Sequence, residues 1–260
     1  MPMTFSNLVL LPQGEKDSGS SPMIPKSAMV LAAGLGTRMR PLTDDRPKAL
    51  VEVGGRALID HVLDRLAEAG VERAVVNVHW FADRLESHLA ARGRGPDIVI
   101  SDERAELLET GGGLKKAAAL LGSDPVFVAN IDSVWTDPSG DALNQLARLW
   151  NPSIMDAALL LARREGSIGF EGNGDVFLAD DGRLTFRGDA PSAPFAYMGV
   201  HICRPDYVAD GPDGPFSLSG FWRRSAGAGR LYGCVLEGDW MHVGDPQARD
   251  EAEARLARVA

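Results

Sequence analysis

A glycine-rich segment with basic residues is the strongest chemical signal in the 260-residue sequence. It reads L-A-A-G-L-G-T-R-M-R-P-L-T from Leu31 and is followed by P-K-A-L from Pro47. Glycines directly after a strand let backbone N–H groups approach phosphate oxygens, and arginine and lysine add positive charge. We therefore expect this segment to bind the phosphates of a nucleotide. The residues assigned to this site are Ala32, Ala33, Gly34, Gly36, Thr37, Arg38 and Lys48.

Other interpretations of this segment stay open. A dinucleotide-dependent oxidoreductase would carry a third glycine where Met39 stands, and a Walker sequence G-K-S or G-K-T is absent. An ordinary structural turn is the remaining alternative. The order of Arg38, Pro47 and Lys48 favours phosphate binding over that turn.

An acidic residue follows a second predicted strand. Asp132 comes just after the apolar run Val126–Ala129, at a carboxyl end where a metal-bound triphosphate would lie. Mg²⁺ prefers carboxylate and phosphate oxygens and keeps several waters, so one or two protein ligands suffice. We expect Asp132 to be a metal ligand, and the alternative is a residue that only caps the turn before Trp135.

Further polar segments are candidates for contacts to the nucleotide or to a sugar. The E-T-G-G-G run from Glu109 precedes a predicted helix, and its bare backbone would accommodate a flat base. The alternative is a flexible loop in which Thr110 is the N-cap of that helix. Asn77 follows a strand, and Asn173 with Asp175 precedes a hairpin; packing and ordinary turns are the alternatives to sugar contacts. The residues of the run assigned to the nucleotide are Glu109, Gly111 and Gly112.

These residues need a scaffold that brings several strand ends together. Short apolar runs alternate with amphipathic stretches from residue 28 onward. This alternation predicts an α/β fold with a Rossmann-like, mostly parallel sheet flanked by helices, where ligands bind beyond the carboxyl ends of the strands. The predicted strands are 28–31, 74–78, 98–100, 126–129 and 157–161. The predicted helices are 58–66, 83–91, 114–121 and 143–149.

The second part of the chain has a different pattern. Runs at 176–178 and 184–186 flank A-D-D-G-R, a hairpin signal, and are followed by predicted strands at 197–202 and 231–235 and by a helix from Pro246. We expect one domain with two parts. These are a nucleotide-binding part at about 28–163 and a smaller, hairpin-rich sugar-binding part at about 164–260. The segment before them, 1–27, is rich in Gly, Pro and Ser and is predicted to be a disordered leader.

Composition excludes several classes of protein. A formal net charge of -9 argues against nucleic-acid binding, which requires a basic surface. No apolar run reaches membrane-spanning length, so no membrane segment is expected. The only cysteines, Cys203 and Cys234, exclude a disulfide framework and favour a reduced, cytoplasmic setting, with one bridge between them as the alternative. No pattern specifies an oligomeric state.

Together the motifs resemble those of the sugar-1-phosphate nucleotidyltransferases. The matching segments are the glycine-rich segment, P-K-A-L, E-T-G-G-G, Asn130-Ile131-Asp132 and W-M-H-V-G from Trp240, and the resemblance spans nearly all of the chain from residue 28 to residue 256. It implies the nucleotide-diphospho-sugar transferase fold. It also implies in-line attack of a sugar-phosphate oxygen on the α-phosphorus of a nucleoside triphosphate, with release of pyrophosphate.

By this resemblance, Arg38 stabilises the transition state, Lys48 orients a phosphate, Asp132 binds Mg²⁺, and Asn130 is assigned to the sugar. The sequence departs from the family at His242, where the W-x-D-x-G element would supply a second metal carboxylate. Histidine suits Mn²⁺ better than Mg²⁺, so His242 is a doubtful metal ligand. Nearby Asp239 and Asp245 are candidate substitutes.

The substrates follow from the same resemblance. The E-T-G-G-G form most resembles members that use UTP and N-acetylmuramic acid 1-phosphate in cell-wall recycling. The alternatives are mannose 1-phosphate with GTP, and glucose 1-phosphate with UTP or dTTP. A different class of function, a catalytically weak regulatory protein that binds nucleotide sugars, is favoured only by His242 and opposed by Arg38, Lys48 and Asp132.

Overall fold

The computed structural model describes residues 23–258 and contains one large sheet with helices on both faces. The helices are α1 (Leu58–Glu68), α2 (Ala82–Ala90), α3 (Glu109–Leu121), α4 (Ala142–Leu149), α5 (Ser219–Gly227) and α6 (Pro246–Leu256). The strands of the first part are β1 (Ser27–Leu31), β2 (Glu52–Val53), β3 (Arg56–Ala57), β4 (Arg73–Val78), β5 (Asp97–Asp102), β6 (Val126–Asn130) and β7 (Ser133–Trp135). The remaining strands are β8 (Ala157–Arg163), β9 (Val176–Leu178), β10 (Leu184–Phe186), β11 (Phe195–Cys203), β12 (Leu231–Val235) and β13 (Trp240–His242).

The large sheet has nine strands along the order β10-β9-β11-β6-β1-β4-β5, with β8 paired to β11 and β12. Strands β6, β1, β4 and β5 are parallel, whereas β11 runs antiparallel to β6 and to β8. The parallel strands are apolar along their length because helices cover both faces; Met29 and Val30 on β1 are fully buried. The predicted fold class is therefore confirmed.

Two hydrophobic clusters lie on opposite faces of the sheet. One packs α1, α2, α4 and α6, with Leu58 and Leu146 fully buried, and the other packs α3 and α5, with Leu114 fully buried. Outside the large sheet, β7 and β13 form a two-stranded antiparallel ribbon that pairs Ser133 with His242. This ribbon joins the two parts of the chain beside Asp132.

Most predicted elements are present with small shifts of their ends. Four features were not predicted: the β2–β3 hairpin, β7, β13 and α5. Helix α3 also begins at Glu109, five residues before the predicted start, because tertiary contacts override the low helix propensity of three glycines. None of the described helices is long and apolar enough to cross a bilayer.

Two further predictions concern the leader and the cysteines. Of the predicted leader, residues 1–22 lie outside the described residues, whereas Ile24 packs against the core and β1 begins at Ser27. The alternative of a Cys203–Cys234 bridge is wrong. Both cysteines are free, because their strands, β11 and β12, pair with opposite edges of β8.

Candidate functional site

A cleft of about 440 Å³ lies at the carboxyl ends of β1, β4 and β6. Because these strands are parallel and adjacent, the loops that follow them converge at one edge of the sheet. Ser217 and Gly244, from the second part of the chain, line the cleft as well. The assigned residues that line it are Ala32, Ala33, Gly34, Gly36, Thr37, Arg38, Lys48, Asn77, Glu109, Asn130 and Asp132.

The loop after β1 contributes backbone amides without a protein acceptor. Among residues 23–258, the N–H groups of the five residues from Gly34 to Arg38 donate no hydrogen bond to the protein. Gly36 has φ 64°, and a Cβ there would come 3.0 Å from the Lys48 Cβ, so the loop requires glycine at this position. A Cβ at Gly34 would meet no protein atom within 4 Å. Consecutive unpaired amides at a cleft can bind phosphate oxygens.

Arg38 is the cation of this loop that has no acidic partner among the described residues. Arg40 lies 3.7 Å from the Asp44 carboxylate, and Arg46 lies 2.8 Å from that of Asp45. The Arg38 side chain is exposed at the cleft and forms no such pair. Its guanidinium is therefore available for an anionic ligand.

A charged cluster closes the other side of the cleft. The nearly buried Lys48 Nζ donates to Asp132 Oδ2 at 2.8 Å, and His242 Nε2 lies 3.6 Å from the same oxygen. Burial alone would raise the pKa of the Asp132 carboxyl, but Lys48 and His242 lower it well below its usual value. Asp132 therefore stays ionised at neutral pH. The other ring nitrogen of His242, Nδ1, lies 3.3 Å from the Gly169 carbonyl oxygen.

The donor set around Asp132 fits a hard cation that brings its own ligands. Asp239 is paired with Arg255 at 2.5 Å, and Asp245 caps α6 by accepting from Ala248 N at 2.9 Å, so neither replaces the missing family carboxylate. Within residues 23–258, no three His, Cys, Asp or Glu side chains are arranged to hold a metal. Mg²⁺ bound to Asp132 would take its remaining oxygens from phosphates and water, which is its usual behaviour.

Asn77 corrects one prediction, because its side chain holds the loop after β1. The Oδ1 atom accepts from Ala32 N at 2.6 Å and from Ala33 N at 3.1 Å, and Nδ2 donates to Glu103 Oε1 at 2.8 Å. Only 2% of Asn77 is exposed. With Oδ1 and one N–H of Nδ2 engaged by the protein, at most the second N–H of Nδ2 is left for a sugar. The Ala32 and Ala33 amides are likewise unavailable to a nucleotide.

The glycines after Thr110 correct another prediction. Gly111 N and Gly112 N both donate to the Phe216 carbonyl, at 2.8 and 3.2 Å. A Cβ at Gly111 would lie 2.3 Å from the Phe216 ring, and one at Gly112 would lie 2.6 Å from the Gly214 carbonyl oxygen. The loop that carries Phe216 therefore packs on these glycines and occupies the space that was assigned to a nucleotide. Neither glycine lines the cleft.

The structure separates the residues assigned to the sugar. Asn130 lines the cleft, and its side chain has no hydrogen-bond partner in the described part of the chain. Asn173 and Asp175 do not line the cleft; the Asp175 carboxylate accepts from Tyr197 N at 2.9 Å and so braces β11. Of the predicted sugar contacts, Asn130 is the one at the cleft whose whole side-chain amide is without a partner among the described residues.

Several cleft residues were not assigned to the site, although Thr110 and Gly244 belong to motifs that the sequence analysis identified. Leu107, Thr110, Ser217 and Gly244 line the cleft without having been assigned to it. Thr110 does not cap α3, since its hydroxyl oxygen accepts from Leu218 N at 3.0 Å. The loop that carries Ser217 is brought to α3 by tertiary contacts, which a linear pattern does not reveal.

Comparison with known proteins defines the class of this protein. Residues 28–169 match the family described as the MobA-like NTP transferase domain. The chain has a TM-score of 0.73 and 18% identity to UDP-glucose pyrophosphorylase complexed with UDP-glucose, over 92% of this chain and 100% of that one. The chain belongs to the MobA-like NTP transferase family and is a nucleotidyltransferase, as the motifs predicted.

Particular relatives are closer in sequence. The chain is 63% identical over 238 residues to N-acetylmuramate alpha-1-phosphate uridylyltransferase of Caulobacter vibrioides, covering 90% of this chain and 98% of that protein. It is 35% identical over 229 residues to the protein of the same name from Neisseria meningitidis serogroup B, covering 87% of this chain and 96% of that protein. The similarity thus covers nearly the full length of both relatives.

Proposed function

We propose that this protein transfers the uridylyl group of UTP to N-acetylmuramic acid α-1-phosphate. An oxygen of the sugar phosphate attacks the α-phosphorus of UTP, the bond from that phosphorus to the bridging oxygen breaks, and pyrophosphate leaves. The products are UDP-N-acetylmuramic acid and pyrophosphate. The substrate assignment is supported by the 63% identity to a relative of that name over almost its whole length.

The observation that carries the chemistry is the set of unpaired donors after β1. The amides from Gly34 to Arg38 and the Arg38 guanidinium have no protein acceptor among the described residues, and Gly34, Gly36, Thr37 and Arg38 line one cleft. A triphosphate would supply these acceptors. Phosphoryl and nucleotidyl transfer depends mainly on positioning and charge neutralisation, so the site needs no protein nucleophile.

Each charged side chain then has a separate role. Arg38 neutralises charge that develops on the α-phosphate and on the leaving pyrophosphate. Lys48, which lies 2.8 Å from Asp132, orients a phosphate oxygen beside that carboxylate. Asn130 bonds a hydroxyl or the phosphate of the sugar.

Asp132 would hold a divalent cation, Mg²⁺ or Mn²⁺, with phosphate oxygens and water as the other ligands. The cation would supply charge neutralisation on the triphosphate. Asp132 is held ionised by Lys48 and His242, so its carboxylate is ready for a cation at neutral pH. His242 replaces the family carboxylate and favours Mn²⁺ over Mg²⁺ if its Nε2 takes part.

We further propose a cytoplasmic role in which the product returns a recovered cell-wall sugar to peptidoglycan synthesis. Support comes from the low cysteine content of the chain, two residues in all, which suits a reducing compartment. The acidic net charge of -9 supports small-molecule substrates over nucleic acid.

The test is a pyrophosphate-release screen of UTP, GTP and dTTP against N-acetylmuramic acid, mannose and glucose 1-phosphates, with Mg²⁺ or Mn²⁺. We expect UTP with N-acetylmuramic acid 1-phosphate to give the highest kcat/KM. Asp132→Ala, which removes the proposed metal ligand, should nearly abolish that turnover and serves as the control. A higher kcat/KM with another pair would overturn the substrate assignment, and no release with any pair would favour a binding protein.

A further inference from the structure

A fully buried carboxylate lies behind the phosphate-binding loop. Glu103 is 0% exposed, follows β5, and forms no ion pair with a basic residue among residues 23–258. Burying a carboxylate without a cation is costly unless hydrogen bonds compensate. The compensating donors are Asn77 Nδ2, 2.8 Å from Oε1, and Leu108 N, 3.2 Å from Oε2. Leu108 precedes α3, so the helix N-terminus also favours the negative charge.

Glu103 determines which way the Asn77 amide faces. A carboxylate has only acceptors, so the Asn77 Nδ2 group must point toward it. The Asn77 Oδ1 atom then points to the opposite side, where it accepts from the amides of Ala32 and Ala33. With the amide reversed, the Asn77 NH₂ group would face those two N–H donors, and both contacts would be lost.

The last glycine of the E-T-G-G-G run makes room for this arrangement. A Cβ at Gly113 would lie 2.9 Å from Glu103 Oε1 and 3.0 Å from Asn77 Nδ2. The Glu103 carbonyl oxygen also lies 2.7 Å from His79 Nδ1. The ends of β4 and β5, the start of α3 and the loop after β1 therefore meet at one buried pair of side chains.

We propose that Asn77 and Glu103 form a positioning relay that sets the orientation of the phosphate-binding loop. By engaging the Ala32 and Ala33 amides, the relay fixes the loop at the point where the unpaired amides from Gly34 to Arg38 begin. Through Leu108 it links this loop to the cleft residues at the start of α3. Both residues act through the loop, since Glu103 is fully buried and Asn77, although it borders the cleft, is only 2% exposed. The proposal rests on the proposed function only in taking UTP as the ligand of that loop.

Two isosteric substitutions test the hydrogen-bond polarity. In Glu103→Gln, the new NH₂ group faces a donor, either Asn77 Nδ2 or Leu108 N. In Asn77→Asp, two carboxylates face each other. In the double variant, the new side-chain amide at position 103 would donate its NH₂ group to one oxygen of the new carboxylate at position 77 and would accept from Leu108 N with its carbonyl. The other oxygen of that carboxylate would keep both loop amides. The double variant thus restores every hydrogen bond, reverses the direction of the one between positions 77 and 103 only, and leaves the net charge unchanged.

The measurements are UTP affinity by calorimetry without sugar phosphate, kcat/KM for each substrate, and melting temperature. We expect each single variant to lose about 10- to 100-fold in UTP affinity and in kcat/KM for UTP, as is usual when a buried polar group is left unsatisfied, with the KM for the sugar phosphate nearly unchanged. We expect the double variant to recover at least tenfold over the weaker single variant. The matched control is Asp64→Asn, an equally conservative change at a largely buried carboxylate outside the cleft, which is paired with Arg92 and Arg94. It should lower the melting temperature without changing UTP affinity.

The outcomes are separable. If the wild type does not bind UTP, the proposed function fails. If the wild type binds UTP and Glu103→Gln binds it equally well, the relay fails while the function stands. Two further outcomes would overturn the relay because they indicate a purely structural role. In the first, kcat/KM falls equally for both substrates and in proportion to the fall in melting temperature. In the second, the double variant binds UTP no better than the single variants.

Discussion

Two glycine-rich segments of this protein have similar composition and opposite uses. In the loop after β1, the residues from Gly34 to Arg38 keep their amides unpaired among the described residues, and all of them except Leu35 line the cleft. At the start of α3, the Gly111 and Gly112 amides donate to Phe216, and added Cβ atoms would collide with the neighbouring loop. The first segment is open to a ligand and the second is closed by protein.

The difference shows that a glycine leaves space beside the backbone, but its presence in the sequence does not tell whether a ligand or another part of the protein fills that space. At Gly34 a Cβ would meet no protein atom, whereas at Gly111 it would lie 2.3 Å from an aromatic ring. The partner of the backbone amide therefore decides whether a glycine serves binding or packing. Substitutions in the open segment should change kinetics, and those in the closed region should change stability.

The largest expected effect lies in the open segment. Arg38→Ala should lower kcat by about 100-fold or more, because loss of preorganised charge stabilisation typically costs that much. The melting temperature should not change, since Arg38 has no ion-pair partner among the described residues. Steady-state kinetics and thermal unfolding measure both quantities. Arg40→Ala, which removes an exposed pair with Asp44, is the control and should change kcat little. A raised KM with normal kcat would make Arg38 a ground-state contact only.

The closed segment should respond in stability. Gly111→Ala places a Cβ 2.3 Å from the Phe216 ring and 2.9 Å from its carbonyl oxygen, so the loop must shift. We expect the free energy of unfolding to fall by about 1 to 3 kcal/mol, as for other overpacking substitutions. Each kcal/mol corresponds to a fall of about 2 to 4 °C in melting temperature. Urea denaturation at fixed pH is the measurement. An unchanged midpoint would mean that the loop carrying Phe216 is loosely packed.

Acid should also affect the closed region through His201. This residue is fully buried beside Trp222, which packs against the same hydrophobic cluster as α3. It bonds the Tyr197 hydroxyl at 2.8 Å, and burial lowers its pKa to about 3. The unfolded chain protonates its histidines near pH 6.5, and the native state does not protonate His201. Stability should therefore fall as pH drops from 6.5 to 5, by up to about 1.4 kcal/mol per pH unit from this group.

Denaturation of wild type and His201→Gln across this pH range provides the measurement. The variant should have the shallower slope, whatever its absolute stability. Some slope should remain, because burial also lowers the pKa of His61. Equal slopes would show that His201 is protonated in the native state and that this part of the core admits water.

The smallest effect is expected from Gly34→Ala, the substitution that matches Gly111→Ala in the open segment. Gly34→Ala adds a Cβ where no protein atom lies within 4 Å, so the free energy of unfolding should change by less than about 0.5 kcal/mol. The KM for UTP should rise several-fold, since the methyl group occupies space beside the unpaired amides. Parallel assays of Gly34→Ala and Gly111→Ala measure the contrast. A destabilised Gly34→Ala with normal kinetics would reverse the assignment of open and closed segments.

Much of the fold and part of the site were predictable from local patterns. The alternation of apolar runs predicted β1, β4, β5 and β6, which build the parallel part of the sheet, because a strand buried on both faces must be apolar along its length. The order of glycines, arginine and lysine predicted the phosphate loop, and Asp132 was placed at a strand end beside it. These signals are local, so the sequence alone carried them.

Tertiary contacts decided the rest. The linear pattern gave Asn77 to a sugar and Gly111 to a nucleotide, but Glu103 and Phe216, which lie far from them along the chain, engage their polar groups. The pairing of Lys48 and His242 with Asp132 likewise joins residues brought together only by the sheet and the β7–β13 ribbon. A polar side chain or amide is available to a ligand only when the fold leaves it without a protein partner, and that depends on distances that residue types and spacing do not contain.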